Sequence, residues 1–396
     1  MKISQPQITQ KEQEIVYSVE VDFSLGNQTL QYSLDAEYAD LISSRSDAAL
    51  ACLLIPAMTH GEDIYISGTI SEKLYYNLSG TYQKILKKIL PTLQIINIYA
   101  DDIQPASGNP KGVATGFSAG IDSYCVLADH YYQKYTAPGF KVTHLLYNNV
   151  GSHGGGGESL FKKRYQILKP FVTEKIGLPF LAISSNLSIF YRQYSFKQTH
   201  TPRNASVAFL LQNGIKNYIY ASAYSYEDVF LGSEKDGNLA SMGYSDLVTL
   251  PLLSTETLNA FSAGSEYTRV DKTIKVAQIE DSYKTLDVCV NDNIVENCST
   301  CGKCMRTLLT LEIAGLIDKY RDAFDLELYY KNKNQYIVKE VISSKDPLTK
   351  EIRNFARDKD FKIPISTRLV WLKTKITQKI TTKFRNAIHK ISKLKK

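Results

Sequence analysis

The chain has 396 residues, 43% of them hydrophobic, which is enough for a sizeable core and exceeds one typical domain. Its formal charge of +7 comes from residues 361–396, which hold eleven Lys and Arg and no acidic residue. The other 36 basic and 40 acidic residues leave residues 1–360 at −4. No charged segment followed by an apolar one opens the sequence, and no apolar run could span a bilayer. We therefore expect a folded cytoplasmic protein rather than an exported or membrane-embedded one.

Residues 1–105 have the pattern of a small α/β module. Apolar and polar side chains alternate on both sides of Gly26, which predicts a β-hairpin. Two helical patterns, each followed by a short apolar run, lie at residues 47–61 and 71–90. This module contains no chemical motif, so its role stays open. The segment 101–112 is rich in Pro, Gly and Asp and predicts a domain boundary.

Beyond this boundary, buried-looking strands alternate with helical patterns. The apolar runs are VATGF, VTHLLYNNV, PFLAISS and YIYASA. The helical patterns lie near residues 123–135, 159–175 and 204–214. Strand and helix in alternation indicate a parallel sheet, so the predicted fold class is α/β. We expect the central domain at 112–330 and a helical extension at 331–396.

The first of these strands runs directly into a short segment of small residues and then into a helix: Ser118, Ala119, Gly120, Ile121, Asp122 and Ser123. Such a turn presents backbone N–H groups, the positive end of a helix and hydroxyl side chains to an anion. A bulky side chain at 118–120 would keep a pyrophosphate away from the backbone. The segment matches neither G-x-x-x-x-G-K-[ST] nor G-x-G-x-x-G. It predicts a phosphate-binding loop, with an ordinary strand-to-helix turn as the alternative.

Four of the six cysteines fall within sixteen positions, in the spacing C-x8-C-x2-C-x2-C: Cys289, Cys298, Cys301 and Cys304. Four thiolates complete the tetrahedral coordination of Zn²⁺ and leave no open position, which is typical of a structural site. Without an export signal, such a cluster favours metal ligands over disulfides. Cys52 and Cys125 lie in apolar stretches. The sequence therefore predicts one structural zinc ion.

Together, the loop and the cysteines resemble the PP-loop ATP pyrophosphatase superfamily and, within it, the 7-cyano-7-deazaguanine synthase family, over residues 112–315. The S-G-G-x-D-S loop of that superfamily matches four residues here: Ser118, Gly120, Asp122 and Ser123. Ala119 stands at the second position of this motif, where the superfamily has glycine, and HTPRNASVAFLL is similar to the family's P-x-R-N helix start, with Arg203 and Asn204 on the matching positions. The resemblance implies a parallel Rossmann-like (HUP-type) sheet with helices on both faces.

The resemblance also implies a reaction: a substrate carboxylate attacks the α-phosphate of ATP, pyrophosphate leaves, and ammonia or an amine then displaces AMP. The implied nucleotide-binding residues are Ser118, Ala119, Gly120, Asp122, Ser123, Arg203 and Asn204. Asp122 and Ser123 would be catalytic, Asp122 by orienting the loop or a Mg²⁺ ion and Ser123 by holding the departing pyrophosphate. Arg203 would bind a phosphate or a carboxylate. The expected cofactors are ATP, Mg²⁺ and Zn²⁺, the expected partners are a small-molecule carboxylate and a nitrogen donor, and a homo-oligomer is left open.

Two other functions fit the same residues. A tRNA-thiolating PP-loop enzyme would need a reactive cysteine near the nucleotide, and Cys125, in an apolar helical setting, is the candidate outside the zinc cluster. A nucleotide- and zinc-binding partner protein without turnover fits the departure at Ala119.

The C-terminal tail combines an apolar stripe at helical spacing with basic residues at the other positions; the stripe is Leu372, Ile376, Ile380, Phe384, Ile388 and Ile391. This pattern predicts a basic amphipathic helix. We expect weak, salt-sensitive contact with an anionic surface, with packing on the slightly acidic body as the alternative.

Overall fold

The computed structural model describes residues 1–154, 157–236, 241–344, 346–362 and 367. The strands are β1 (Lys2–Ile3), β2 (Gln7–Lys11), β3 (Glu14–Phe23), β4 (Gly26–Asp35), β5 (Ile64–Ser71), β6 (Ile98–Gln104), β7 (Gly112–Gly116), β8 (His144–Asn149), β9 (Phe180–Ser185), β10 (Ile215–Ala221) and β11 (Asn259–Ala263). The helices are α1 (Asp47–His60), α2 (Glu72–Leu78), α3 (Thr81–Ile89), α4 (Ile121–Leu127), α5 (Gly157–Phe171), α6 (Phe196–Leu210), α7 (Asp246–Thr249), α8 (Arg269–Val276), α9 (Ser282–Thr285), α10 (Gly302–Ile313), α11 (Leu326–Tyr336) and α12 (Pro347–Asp358). In this part of the chain, no helix has the length and apolar character that a membrane crossing requires.

The chain forms two compact units. Of the described residues, the first unit contains those in 1–268, 285–287 and 292–295, and the second contains those in 269–284, 288–291 and 296–367. The predicted domain limits near 105, 112 and 330 stay predictions. The amphipathic helix predicted at 372–391 lies outside the described residues.

One large, mostly parallel sheet organises the first unit, which confirms the α/β class. Its strand order is β11-β10-β7-β8-β9-β4-β3-β1-β5-β6, and β2 pairs with β3. The run β11-β10-β7-β8-β9 is parallel throughout, as is the run β1-β5-β6. Antiparallel pairs connect the two runs through β9, β4, β3 and β1. The strands of residues 1–105 therefore continue the sheet formed by residues 112–263.

The junction within this sheet is short and lies between β4 and β9. Tyr32 pairs with Ser185 and Ser33 with Ser184. Asn186, directly after β9, extends the contact: its amide donates to the Thr29 carbonyl (2.7 Å) and accepts from the Gln31 N–H (2.9 Å). These bonds satisfy backbone groups that would otherwise end the sheet at an open edge.

The N-terminal hairpin is confirmed as β3 and β4. The register pairs Phe23 with Gly26, so the turn itself consists of Ser24 and Leu25. Gly26 has φ +98°, a backbone conformation that glycine adopts without a steric penalty. Gly26 is therefore the first residue of β4 rather than the middle of the turn.

Two predicted helices differ from the structure, one because it is divided into two helices and the other because it begins earlier. The pattern at 71–90 is divided into α2 and α3 at Gly80, whose backbone is non-helical (φ −138°, ψ −93°). The helix expected near residue 204 begins eight residues earlier, at Phe196, because Ser195 and Gln198 form a capping box. Pro202 consequently lies inside α6, and Arg203 and Asn204 lie along the helix rather than at its start.

Helix α1 is the centre of the core in the first unit. Every residue from Asp47 to Met58 is buried, as expected for a helix that is apolar on all sides. It packs against α6. The one buried carboxylate in it, Asp47, accepts hydrogen bonds from the Ser71 N–H and hydroxyl (both 2.7 Å) and from the Gln212 amide (2.8 Å). The Arg45 guanidinium donates to the same carboxylate at 3.3 Å, and these four donors offset the cost of burying this side chain.

The second unit is helical where the structure describes it. Helix α10 packs against α8, α11 and α12. Glu312 of α10 accepts hydrogen bonds from the Tyr329 hydroxyl and the Lys333 ammonium of α11, both at 2.6 Å. This network fixes α11 on the helix that carries one of the clustered cysteines.

Candidate functional site

The predicted phosphate loop lies between β7 and α4. Residues 112–115 of β7 are buried, and Phe117 donates its N–H to the Leu146 carbonyl of β8 (2.8 Å). Ala119 is fully buried and has φ +56°, a left-handed conformation that costs a non-glycine residue about 1 kcal/mol or more. Its carbonyl accepts the Asp287 N–H at 2.9 Å, which holds the strained residue in place.

Gly120 caps α4 and fits tightly. Its backbone is extended (φ −81°, ψ 169°), so glycine is not required for its dihedral angles. A Cβ atom there would lie 3.3 Å from the Asp287 carbonyl oxygen and 3.4 Å from Ser118 Oγ. The small residue is therefore needed for space rather than for conformation.

The side chains of the loop are not equally available to a ligand. Ser118 is exposed and Asp122 is half-buried. Ser123 is 5% exposed, and its hydroxyl donates to the Gly120 carbonyl (3.0 Å), closing the first turn of α4. Ser118 and Asp122 are thus positioned to contact a ligand directly, whereas the Ser123 hydroxyl stabilises the loop.

The loop lies where the strand order of the sheet reverses. From β7 the chain adds β8 and β9 on one side, then returns to add β10 and β11 on the other. At such a reversal the connections leave the carboxyl ends of neighbouring parallel strands in opposite directions, and a ligand-binding crevice is expected there. The candidate site is this crevice, at the carboxyl ends of β7, β8 and β10.

Polar residues from three elements meet at the carboxyl ends of these strands. Asn148 of β8 donates to the Asn204 side chain of α6 (3.2 Å), and Asn204 donates to the His200 carbonyl (2.9 Å). Tyr220, near the end of β10, is half-buried, and its hydroxyl lies 2.8 Å from Nδ1 of His200. The structure therefore brings the predicted residue Asn204 together with Asn148, His200 and Tyr220, none of which the sequence singled out.

Two side chains in this region, Tyr220 and Asp246, have raised pKa values. Burial raises the pKa of Tyr220 well above its ordinary value, and the charges of Asp246 and Asp122 raise it further. Burial also raises the pKa of Asp246 to about 7, against a hydrogen bond from Thr201 that lowers it. Asp122 follows β7 and Tyr220 lies near the end of the neighbouring strand β10, so both residues lie at the same edge of the sheet.

Arg203 occupies a different position from the exposed loop residues. It is 3% exposed, its guanidinium lies 3.7 Å from the ring centre of Tyr191, and it donates to the Val150 carbonyl (3.3 Å). Burial lowers its pKa. Gly151 has φ +97°, and a Cβ atom there would lie 2.5 Å from an Arg203 nitrogen. Arg203 thus packs beneath the chain that follows β8, and its role as a phosphate or carboxylate ligand stays a prediction.

The second unit brings the four clustered cysteines together. Their sulfur atoms all lie within 4.8 Å of one another, with Cys301 and Cys304 at 3.5 Å and Cys298 and Cys304 at 4.0 Å. A tetrahedral ion with metal–sulfur bonds of about 2.3 Å needs sulfur atoms roughly 3.8 Å apart. The cluster is therefore a candidate metal centre.

Backbone geometry prepares these sulfurs to bind a cation. Cys301 is the N-cap of α10, and its N–H donates to Cys298 Sγ (3.1 Å). The Asn291 N–H donates to Cys289 Sγ (3.4 Å). The contact between the Cys301 and Cys304 sulfur atoms lowers the pKa of the Cys301 thiol and raises that of Cys304. Ser299, between Cys298 and Cys301, has φ +54°, so the tight turn between these two cysteines includes a left-handed residue.

Three kinds of comparison, with protein-family models, with curated proteins and with solved structures, find no protein that matches this chain.

Proposed function

We propose that the chain is an ATP-dependent carbon–nitrogen ligase that adenylates a carboxylate and transfers the acyl group to ammonia or an amine, as the 7-cyano-7-deazaguanine synthase family does. The observation that carries this proposal is the buried left-handed Ala119 in a strand-to-helix loop at the strand-order reversal. An ordinary connection can avoid this conformation, and retained strain of this kind is concentrated at functional sites.

The strand order supports a Rossmann-like sheet. Counted from β7, the parallel run has the order 3-2-1-4-5, which is the order of doubly wound nucleotide-binding folds. In those folds the first strand-to-helix turn receives the phosphates, and here that turn is the Ser118–Ser123 loop. The HUP-type assignment is part of the proposal.

Each cofactor has candidate ligands on this chain. The amides of the loop and the exposed Ser118 hydroxyl would bind ATP phosphates. Asp122 would hold Mg²⁺, which neutralises charge on the departing pyrophosphate. The four cysteines of the second unit would hold Zn²⁺ with no open coordination position, so we assign that ion a structural role.

The cysteines favour this proposal over sulfur transfer. Cys125 is 1% exposed and Cys52 is fully buried, and the other four gather in the metal cluster. A thiolating enzyme needs a thiolate that can reach its substrate. Burial raises the pKa of Cys52 to about 12, which makes it a poor nucleophile.

A substrate screen tests the function. The purified chain is incubated with ATP, Mg²⁺, ammonium and a panel of carboxylates, including deazapurine carboxylates, and AMP and pyrophosphate are measured. We expect both products in equal amounts with at least one carboxylate, together with an amide identified by mass spectrometry. ATP binding without pyrophosphate release across the panel would favour a binding partner protein instead.

A further inference from the structure

A chain of hydrogen bonds runs from the candidate crevice to a buried carboxyl group. The Tyr220 hydroxyl lies 2.8 Å from Nδ1 of His200, and the two rings are parallel within 4°. Nδ1 also lies 3.3 Å from the Thr201 hydroxyl, which donates to Asp246 Oδ1. The chain therefore begins at a half-buried tyrosine beside Asn204 and ends at a carboxyl group that is 1% exposed.

The buried end of this chain is incompletely satisfied. Among the described residues, Asp246 Oδ2 has no hydrogen-bond partner. Asp47, the other carboxyl group buried to this degree among the described residues, receives four donors through its two oxygens, one of them from Arg45. Buried carboxyl groups normally have hydrogen-bond donors at both oxygens, as Asp47 does, and an exception calls for an explanation.

We propose that Tyr220 and His200 accept the proton that the attacking nitrogen loses when ammonia or an amine displaces AMP from the acyl adenylate. This inference rests on the proposed ligase function. The carbon–nitrogen bond forms, the bond from the acyl carbon to the phosphate oxygen breaks, and AMP leaves with that electron pair. The nitrogen proton passes to the Tyr220 oxygen while the tyrosine hydroxyl proton passes to Nδ1 of His200.

Thr201 and Asp246 are positioning residues in this scheme. In the neutral ring, His200 carries its proton on Nε2 and presents the Nδ1 lone pair to Tyr220. After the transfer, Nδ1–H donates to the Thr201 hydroxyl, which can accept because its own proton is committed to Asp246. The carboxylate at the end of the chain stabilises the imidazolium, as buried acidic groups do for histidine bases elsewhere.

The position of Tyr220 suits this role. It follows Ile219, which pairs with Thr115 of β7, so it lies at the strand end nearest the phosphate loop. Its hydroxyl contacts His200, and the His200 carbonyl accepts a hydrogen bond from Asn204. An adenylate whose phosphate is bound by the loop would thus have its acyl carbon near the carboxyl ends of β7 and β10.

The proposal is tested by measuring the two half-reactions, adenylation and amide formation, separately in the variants Tyr220→Phe and His200→Asn. The probe is the carboxylate that gives the highest pyrophosphate release in the screen. ATP–pyrophosphate exchange should stay within about threefold of wild type, since adenylation needs no proton acceptor here. Amide formation from ammonium should fall by about 10²-fold, the typical contribution of a general base. Tyr218→Phe, which removes a buried hydroxyl two residues earlier on β10, is the matched control and should leave both half-reactions near wild type.

Hydroxylamine, used in place of ammonium, distinguishes two causes of slow amide formation: loss of a proton acceptor and distortion of the site. Because it is largely unprotonated at neutral pH and strongly nucleophilic, it should restore acyl transfer in both variants to within about fivefold of wild type. Amide formation from ammonium near the wild-type rate in both variants would overturn the proposal. So would a loss that hydroxylamine fails to restore.

A spectroscopic measurement tests the hydrogen-bond chain whatever the substrate screen shows. In the full chain labelled with nitrogen-15 histidine, the His200 signals are assigned by their loss in His200→Asn. We expect Tyr220→Phe to shift the Nδ1 resonance and Tyr218→Phe to leave it in place. An unmoved resonance in Tyr220→Phe would overturn the proposal. If the wild type shows no ATP–pyrophosphate exchange with any carboxylate, the proposed ligase function is refuted instead. Failure of the proton-acceptor proposal and failure of the ligase function can therefore be told apart.

Discussion

Ala119 is the residue at which local strain and the proposed function meet. Its φ of +56° is unfavourable for any side chain, yet its methyl group is fully buried. Replacement by Gly relieves about 1 kcal/mol of strain but loses about 0.8 kcal/mol of methyl burial and gains unfolded-state entropy. The two effects nearly cancel.

We therefore predict that Ala119→Gly changes the free energy of unfolding by less than about 1 kcal/mol and preserves pyrophosphate release. Ala119→Val should destabilise the chain by about 2 kcal/mol or more, because a β-branched side chain is still less compatible with positive φ. Chemical denaturation of both variants measures the difference. Equal stability of the Val variant and the wild type would show that the loop does not hold this conformation in solution.

Asp246 makes stability depend on pH in a defined direction. Burial raises its pKa from 3.8 to about 7, so the folded chain binds a proton that the unfolded chain has released. The contribution of Asp246 to the free energy of unfolding is fully present below pH 3.8 and is lost as the pH rises through 7. The loss amounts to at most about 4 kcal/mol at 1.36 kcal/mol per pKa unit.

We predict that Asp246→Asn weakens this dependence, since an amide keeps an oxygen acceptor for Thr201 but does not titrate. The free energy of unfolding is measured at pH 5 and pH 8 for both proteins. Relative to the variant, the wild type should lose stability between these two pH values. An identical pH dependence in the two proteins would mean that Asp246 is not buried as a carboxyl group in solution.

At the level of elements, the short helix α10 and the turn before it depend on the cysteine cluster. Cys301 caps the helix and Cys304 lies in its first turn, so a bound ion connects the helix start to residues 289 and 298. Metal binding of this kind is coupled to folding.

We predict one zinc ion per chain in the wild type and loss of both zinc and stability in Cys301→Ser. Elemental analysis and thermal unfolding measure the two effects. Cys125→Ser removes a buried thiol outside the cluster and should keep the zinc ion. Wild-type protein purified without chelators that contains no zinc would contradict the assignment.

Individual elements could be predicted where the signal is local. The hairpin at Gly26 and the cysteine spacing depend on neighbouring residues, and the structure has both the hairpin and the converging sulfurs. The predicted start of α6 near residue 204 is wrong because Pro202 suggests a helix start, whereas the capping box of Ser195 and Gln198 begins the helix at Phe196. Gly80 divides a helix whose hydrophobic pattern continues on both sides.

At the scale of the whole molecule, the sheet could be predicted only in part. Alternating strands and helices indicate the parallel run, but the β4–β9 pairing joins residues about 150 positions apart through two residue pairs. No local pattern specifies such a contact. For the same reason the sequence identified Asp122 and Asn204 as candidates but missed Tyr220 and His200, because Tyr220 meets His200 and Asn204 only when β10 and α6 pack together.

The central claim is that the Ser118–Ser123 loop binds ATP for attack at the α-phosphate. The most direct measurement is Mg²⁺-dependent, carboxylate-dependent pyrophosphate release by the wild type, by Asp122→Ala and by Asp101→Ala, a control on the exposed edge strand β6. We predict release by the wild type and the control, and release at least about 100-fold slower in Asp122→Ala with its free energy of unfolding within about 1 kcal/mol of wild type. Equal rates in wild type and Asp122→Ala, or cleavage of ATP to ADP and phosphate, would contradict the account.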